Sequence, residues 1–341
     1  MVPIFTHGAA RSPFSARVSP DGSSAQLERD GRFVADIRFP GTPRFYGLST
    51  ADGTPYWKIA RLHGSDVLAT TVLQTCIRYG QRATSCQFCA IGQSLAAKQT
   101  VAEKTPAQLA EVASAAVRLD GVRHVVMTTG TPAGADRGAG VLARAARAIR
   151  DAVDVPIQAQ CEPPADLAWF ERLRASGVDS LGMHLEAVDE SVRRRIMPGK
   201  AEVPVSVYFE AFAAAVAVFG RGQVSTYLLA GLGDGAELLL ETSQRLIALG
   251  VYPFVVPFVP IARTPLEHHP APEPAFLARV LDGVAEQLAH AGMSARAIKA
   301  GCGRCGACSS LRAREGRAPA PLAGSAETRQ ARTGEVAFDA A

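Results

Sequence analysis

The feature that most constrains this chain is a group of three cysteines within fourteen residues. Cys76, Cys86 and Cys89 follow the pattern C-x9-C-x2-C. Soft thiolate ligands select iron–sulfur clusters, zinc or copper(I). Three protein ligands leave one coordination position open for a substrate or cofactor, whereas structural metal sites use four. The spacing favours a reactive metal centre; a zinc knuckle or uncoordinated thiols are the alternatives.

A second group of cysteines lies near the end of the chain. Cys302, Cys305 and Cys308 follow the pattern C-x2-C-x2-C, and the seventh cysteine, Cys161, stands alone. Two tight triplets are typical of metal or cluster sites rather than of a disulfide framework. Such thiols need a reducing environment, so the sequence predicts a cytoplasmic protein.

Composition and charge argue against a membrane or a nucleic acid as a partner of this chain. The chain has 341 residues, of which 48% are hydrophobic and 20% charged, as in an ordinary globular protein. It contains no apolar run of about 18 residues, so no membrane span is expected, and no secretory signal is apparent. The net charge is +4, but the basic residues are scattered apart from Arg193–Arg195, so a nucleic-acid partner is not expected.

Alternating strand and helix patterns predict an α/β fold. Residues 1–62 form a β-rich segment, with a hairpin turn at Asp30-Gly31. Six strand–helix units follow, beginning with the apolar run Val67–Leu73, which leads into the first cysteine triplet. This rhythm indicates a parallel sheet. A doubly wound sheet would carry a glycine-rich phosphate loop after its first strand, but cysteines stand there instead.

The first triplet resembles the cluster loop of radical S-adenosylmethionine (SAM) enzymes, including an aromatic residue, Phe88, before the last cysteine. The commonest spacing in that superfamily has three residues between the first two cysteines, and nine are also found in its Elongator-type members. The resemblance implies a partial (β/α)6 TIM-type barrel over residues 63–295. It also implies a 4Fe-4S cluster on the three thiols and SAM bound at the fourth iron.

Residues after the other strands extend the resemblance to biotin synthase and lipoyl synthase. The matching segments include Gly182–Gly199 and Pro260–Glu267. The resemblance also extends to an uncharacterised family that accompanies nitrilases in gene clusters. It implies SAM contacts at the ends of strands two, four and five, from Thr129, Gly130, His184, Glu186, Arg195, Gly231 and Gly233.

The second triplet begins like the ligand run of bacterial ferredoxins. We therefore expect an auxiliary 4Fe-4S cluster on residues 296–312, with zinc as the rival. A zinc site would need a fourth ligand from a distant segment, such as Cys161, His268 or His269, although Cys161 also fits a small buried apolar thiol. Residues 313–341 lack periodicity and are predicted to be a disordered tail.

The resemblance implies reductive cleavage of SAM and abstraction of hydrogen from a small-molecule substrate by a 5′-deoxyadenosyl radical. A flavodoxin- or ferredoxin-like protein would supply the electron. Two alternatives stay open. One is a sulfur-inserting or methylthiolating enzyme that uses the C-terminal triplet, and the other is a non-catalytic metal-binding barrel.

Overall fold

The computed structural model describes residues 12–39 and 41–317. The strands of these residues are β1 (Phe14–Val18), β2 (Ser24–Arg29), β3 (Arg32–Arg38), β4 (Arg61–His63), β5 (Val67–Thr71), β6 (His124–Thr128), β7 (Ile157–Gln160), β8 (Ser180–Gly182), β9 (Val224–Ala230) and β10 (Val251–Pro257). Their α-helices are α1 (Tyr56–Ile59), α2 (Ile91–Ala96), α3 (Pro106–Asp120), α4 (Ala139–Ala152), α5 (Trp169–Ala175), α6 (Glu190–Ile196), α7 (Pro198–Ala201), α8 (Val205–Phe219), α9 (Ala236–Leu249), α10 (Pro274–His290), α11 (Cys302–Cys305) and α12 (Leu311–Glu315).

The N-terminal strands form a separate antiparallel sheet in the order β1-β2-β3. Arg29 pairs with Arg32 across a two-residue turn in which Asp30 and Gly31 have φ angles of 50° and 74°. This confirms the predicted hairpin, because a tight hairpin turn requires positive φ at both central residues. Among the described residues this sheet has no well-covered apolar face at β3, since Phe33 is 60% exposed and Val34 is 48% exposed.

The main sheet has seven strands in the order β10-β9-β8-β7-β6-β5-β4. Strands β5 to β10 are parallel, and β4 pairs with β5 in the antiparallel sense at one edge. The six predicted strand–helix units are confirmed. The sheet curls into a partial TIM-type barrel whose consecutive long helices (α3, α4, α5, α8, α9 and α10) pack against their neighbours in chain order.

Local sequence signals explain where the helices begin and end. Helix α3 begins at a capping box, in which the Thr105 hydroxyl accepts a hydrogen bond from Gln108 N and the Gln108 side chain accepts one from Thr105 N. It ends at Gly121, whose φ of 65° suits a residue without a Cβ atom. The apolar faces of these helices and the outward side chains of the strands form the core, which includes Val112, Leu142 and Leu181.

The C-terminal segment packs back onto the barrel. Leu311 is fully buried, and Glu315 accepts hydrogen bonds from the Tyr252 hydroxyl and from Ala295 N. Residues 313–315 therefore belong to helix α12 and not to the predicted disordered tail, because Glu315 and Leu311 anchor them. Residues 318–341 lie outside the described residues.

Within residues 12–39 and 41–317, no helix is both long enough and apolar enough to cross a bilayer.

Candidate active site

A cavity of about 240 Å³ lies at the carboxyl ends of the parallel strands. All three cysteines of the first triplet line it, together with Thr129, Gly130, His184 and Glu186 among the predicted SAM contacts. Carboxyl ends of strands are where barrel enzymes hold their reactive groups. The fold thus brings the first triplet and four of the seven predicted contacts to one place.

The loop that carries the first triplet is fixed by backbone hydrogen bonds to two neighbouring segments. Ile77 N donates to Thr131 O at 2.9 Å, beyond the end of β6. Gln87 N donates to Ile196 O at 2.7 Å, and Gly199 N donates to Thr84 O at 3.1 Å, which joins the loop to α6 and α7. Phe88 adds an edge-on contact with Phe258 at 6.5 Å between ring centroids. The nine residues between Cys76 and Cys86 therefore form a loop that is fixed to its neighbours by hydrogen bonds.

The thiols fit a group that binds thiolates. All seven cysteines are free. Burial raises the pKa of Cys86 and of Cys89, so these thiols hold their protons until a cationic centre displaces them. Across the described residues, no three His, Cys, Asp or Glu side chains gather closely enough to hold a single metal ion. A 4Fe-4S cluster has a different requirement, because each of its thiolates binds a different iron.

Two buried ion pairs frame the cavity. Lys200 Nζ donates to Glu186 Oε2 at 2.8 Å, and Arg78 donates to Glu162 Oε1. Burial alone would raise the pKa of Glu162, but Lys200 and Arg78 outweigh it and the pKa is lowered. The second oxygen of this carboxylate, Oε2, is buried and has no hydrogen-bond partner among the described residues. A charged oxygen held in this way is ready to accept a hydrogen bond from a ligand.

His184 presents a similar unpartnered atom. Its Nδ1 accepts a hydrogen bond from Tyr227 N at 3.2 Å, and its ring stacks on the Tyr227 ring at 4.3 Å. Burial lowers the pKa of His184 to about 3, so the imidazole is neutral and carries its proton on Nε2. In the part of the chain described, that Nε2 atom is buried without a partner. His184 is therefore a fixed neutral donor in the wall of the cavity.

Three predicted SAM contacts lie outside the wall of this cavity. Arg195 is exposed and its guanidinium donates to Leu232 O at 3.2 Å, close to Gly233. Gly231 packs against Pro272, and its carbonyl contacts His269 Nε2 at 2.8 Å. Of the three adjacent arginines, Arg193 is the buried one, and it donates to the carbonyls of Leu185, Ala187, Lys200 and Val203.

The second triplet lies towards the amino ends of the parallel strands, where Gly301 N donates to His124 Nδ1 at the start of β6. A layer of polar side chains lies between it and the first triplet. Gln160, which lines the cavity, donates from its amide to Cys302 Sγ at 3.3 Å. The Tyr227 hydroxyl also hydrogen-bonds to Cys302. Burial raises the pKa of Cys302 to about 11. The Gln160 side chain thus contacts both the cavity of the first triplet and a thiol of the second triplet.

Several site residues escaped the sequence analysis, namely Arg78, Glu162, Lys200, Gln160 and Tyr227. Arg78 and Glu162 are 84 positions apart. Glu162 is the second residue after strand β7, and this position near the strand end is the signal that could have identified it. No local sequence pattern marks Lys200 as a site residue. It reaches Glu186 only because the chain turns between α6 and α7.

Comparison with known proteins agrees with this geometry. Residues 83–245 match a family model described as the radical SAM superfamily. The fold is similar to that of methylornithine synthase (PylB), with a TM-score of 0.50 and 15% identity over 68% of this chain and 64% of that one. It is also similar to HydG, a maturase of the [FeFe]-hydrogenase, with a TM-score of 0.52 and 12% identity over 70% of this chain and 53% of that one.

A curated relative, bacteriochlorophyllide c C-7(1)-hydroxylase of Chlorobaculum limnaeum, is 30% identical over 135 residues. That match covers 39% of this chain and 33% of the relative's length. The fold and the cavity define a partial-barrel protein with three cysteines at the carboxyl ends of its parallel strands. Residues 83–245 are thus similar to the radical SAM superfamily, which is a superfamily of enzymes that use a 4Fe-4S cluster and SAM.

Proposed function

We propose that this protein is an enzyme that cleaves SAM reductively and abstracts hydrogen from a small-molecule substrate. Cys76, Cys86 and Cys89 would hold the 4Fe-4S cluster. The observation that carries the proposal is the single cavity lined by these three thiols and by the unpartnered polar atoms of Glu162 and His184. Three thiols with open space beside them suit a centre that keeps one iron accessible.

The chain's own residues would bind and orient SAM. When bound, the cluster and SAM supply one-electron cleavage and a nucleoside radical that abstracts hydrogen. Lys200 fixes one oxygen of Glu186, which leaves the other free to accept hydroxyl hydrogen bonds from ribose. His184 would donate from Nε2 to a SAM or substrate oxygen. Thr129 and Gly130 would face the methionyl group.

The remaining predicted contacts keep the roles that the family resemblance implies. Arg195 would bind the SAM carboxylate, and Gly231 and Gly233 would lie beside the adenine. All three positions are at the same end of the barrel as the cavity, but outside its lining.

A neighbouring cavity is a place for the substrate. It has a volume of about 390 Å³ and shares Thr71 and Thr128 with the first cavity. Lys58, Arg61 and Lys104 are among its lining residues, and none of that lining is acidic. The second cavity therefore favours a substrate with an anionic group.

The C-terminal triplet is proposed to hold an auxiliary 4Fe-4S cluster, with a flavodoxin- or ferredoxin-like protein as the electron donor and the cytoplasm as the site of action. The contact of Gln160 with Cys302 supports an auxiliary role, because it connects this triplet to the substrate end of the barrel. The same contact favours sulfur insertion as the second candidate function. Sulfur in the isolated product would distinguish the two.

The test compares two cysteine variants after anaerobic reconstitution. We expect Cys86→Ala to abolish the formation of 5′-deoxyadenosine from SAM. Cys305→Ala is the matched control, since it removes one thiol from the other triplet and leaves the first intact, and it should still cleave SAM. Production of 5′-deoxyadenosine by Cys86→Ala at the wild-type rate would refute the proposal.

A further inference from the structure

The end of strand β4 and the turn after it contact the second triplet through two consecutive residues, His63 and Gly64. His63 Nε2 lies 3.8 Å from Cys308 Sγ. At Gly64, an added Cβ atom would come within 3.3 Å of Cys305 Sγ, and the φ angle of this glycine is +63°. The backbone of this turn therefore passes directly against the thiols, in a conformation and at a distance that suit a residue without a side chain.

Both partners in this contact are held by regular structure. Antiparallel pairing of β4 with β5 places His63 opposite Val67, and Leu62 N donates to the Tyr46 hydroxyl at 3.1 Å. On the other side, the Ser309 hydroxyl donates to Val255 O at 2.6 Å, next to Cys308. The His63 side chain is thus fixed beside the triplet by the edge of the main sheet.

The three residues that the sequence offers as a distant fourth ligand of the second triplet have other contacts. Cys161 lines the cavity of the first triplet. His269 contacts Gly231 O and packs edge-on against Phe258. The His268 side chain is 73% exposed and lies 3.4 Å from Glu267.

We propose that His63 is the fourth protein ligand, through Nε2, of a 4Fe-4S cluster held by Cys302, Cys305 and Cys308. This inference rests on the proposed auxiliary cluster. Imidazole nitrogen is a good ligand for iron beside thiolates. Four protein ligands leave no open iron at this centre, so the substrate would not bind to it directly. In this respect it would differ from the first centre, which has three thiols and an open position.

The test observes the second centre alone in the full chain. In the variant Cys76→Ala/Cys86→Ala/Cys89→Ala, labelled with ¹⁵N-histidine, pulsed EPR of the reduced cluster should show a nitrogen coupled directly to iron. The coupling should vanish in the added His63→Gly variant and return when imidazole fills the space. His290→Ala, which removes an exposed histidine at the end of α10, is the matched control and should keep the coupling.

The outcomes separate this inference from the proposed function. An iron–sulfur cluster without nitrogen coupling would overturn the role of His63 and leave the auxiliary cluster standing. Zinc, or no metal, on the second triplet would overturn both, while SAM cleavage by the wild-type chain remains a separate measurement. His63→Cys guards against a folding defect, since it should retain the iron and lose the nitrogen signal.

Discussion

Glu186 combines an unusual backbone conformation with a buried ion pair. Its φ angle is 67°, in the left-handed region that residues with a side chain seldom adopt. It follows the short strand β8, and Lys200 holds its carboxylate. Strained conformations of this kind cluster at functional sites, where the surrounding structure maintains them. Glu186 is therefore placed by its backbone as well as by its ion pair.

The ion pair of Glu186 with Lys200 should contribute measurably to stability. The two side chains are only 16% and 10% exposed. Lys200→Met would leave a buried carboxylate unpaired, and breaking a buried pair costs about 3–5 kcal/mol. We expect a decrease of that size in the free energy of unfolding by urea denaturation of the metal-free protein, and we expect Glu186→Gln/Lys200→Met to recover most of it.

An exposed pair provides the control for this measurement. Glu237 and Arg279 are 67% and 62% exposed. Arg279→Met should leave the free energy of unfolding nearly unchanged, because solvent screens an exposed pair. Equal losses in Lys200→Met and Arg279→Met would show that burial of the Glu186 pair has no special energetic role.

The lowered pKa of His124 predicts that the stability of the fold depends on pH. Burial lowers its pKa from 6.5 to about 4; nearby Asp66 opposes the shift, and Arg304 adds to it. The unfolded chain therefore binds more protons than the folded chain between these values. Stability from neutral His124 is present above pH 6.5 and is lost as the pH falls towards 4. The contribution is about 3 kcal/mol by the usual conversion.

His124→Asn tests this dependence, because Asn can replace the Nδ1 atom that accepts from Gly301 N. The stability difference between wild type and variant should change between pH 6.5 and 4 and stay constant above pH 7. Urea denaturation across this range measures it. A difference that does not vary with pH would contradict the assignment of a buried neutral His124.

At the scale of elements, the position of the first cysteine loop depends on glycines in its neighbours. An added Cβ atom at Gly130 would lie 2.1 Å from Thr75 O, and at Gly199 it would lie 2.6 Å from Thr84 O. Real Cβ atoms do not approach backbone oxygens so closely, so a substitution at either position must displace the loop. The family resemblance predicts that Gly130 contacts SAM, and its closeness to Thr75 adds this steric role.

Gly130→Ala should therefore shift the loop and weaken the first centre. We expect less iron bound per chain after reconstitution and a lower rate of SAM cleavage, while the iron on the second triplet stays. Gly235→Ala is the control, because no heavy atom lies within 4 Å of the added Cβ atom. Full iron content and activity in Gly130→Ala would show that the loop tolerates the displacement.

The strands were predictable to different degrees, for physical reasons. Strands β5, β6, β9 and β10 are rich in apolar residues because helices cover one of their faces, and such stretches are visible in the sequence. Strand β8 has only three residues and ends at Gly182, because the chain then turns and places Glu186 at a positive φ. Strand β4 has three residues and carried no pattern, so His63 at its end was not predicted.

At the scale of the whole molecule, the two cysteine triplets lie towards opposite ends of one barrel. Gln160 and the stacked pair His184–Tyr227 lie between them. The patterns of the triplets predicted their chemistry from the sequence, but not their proximity. Proximity depends on the C-terminal segment folding back, and no local signal encodes contacts such as Gln160 with Cys302, which are 142 positions apart.

Gln160, which lines the first cavity, should raise the reduction potential of the cluster at the second triplet through its contact with Cys302. N–H hydrogen bonds to cluster sulfurs raise the reduction potential, so Gln160→Leu should lower the potential of the auxiliary cluster without loss of iron. An EPR redox titration measures the change. The first centre of the same sample is the internal control and should keep its potential; an unchanged second potential would mean that the contact with Cys302 is incidental.

The most direct test of the central proposal is the EPR spectrum of the anaerobically reconstituted and reduced protein, recorded with and without SAM. Binding of SAM at an open iron held by Cys76, Cys86 and Cys89 should change the signal of that cluster, and the change should be absent in Cys86→Ala. A wild-type iron–sulfur signal that is the same in both spectra would contradict the account.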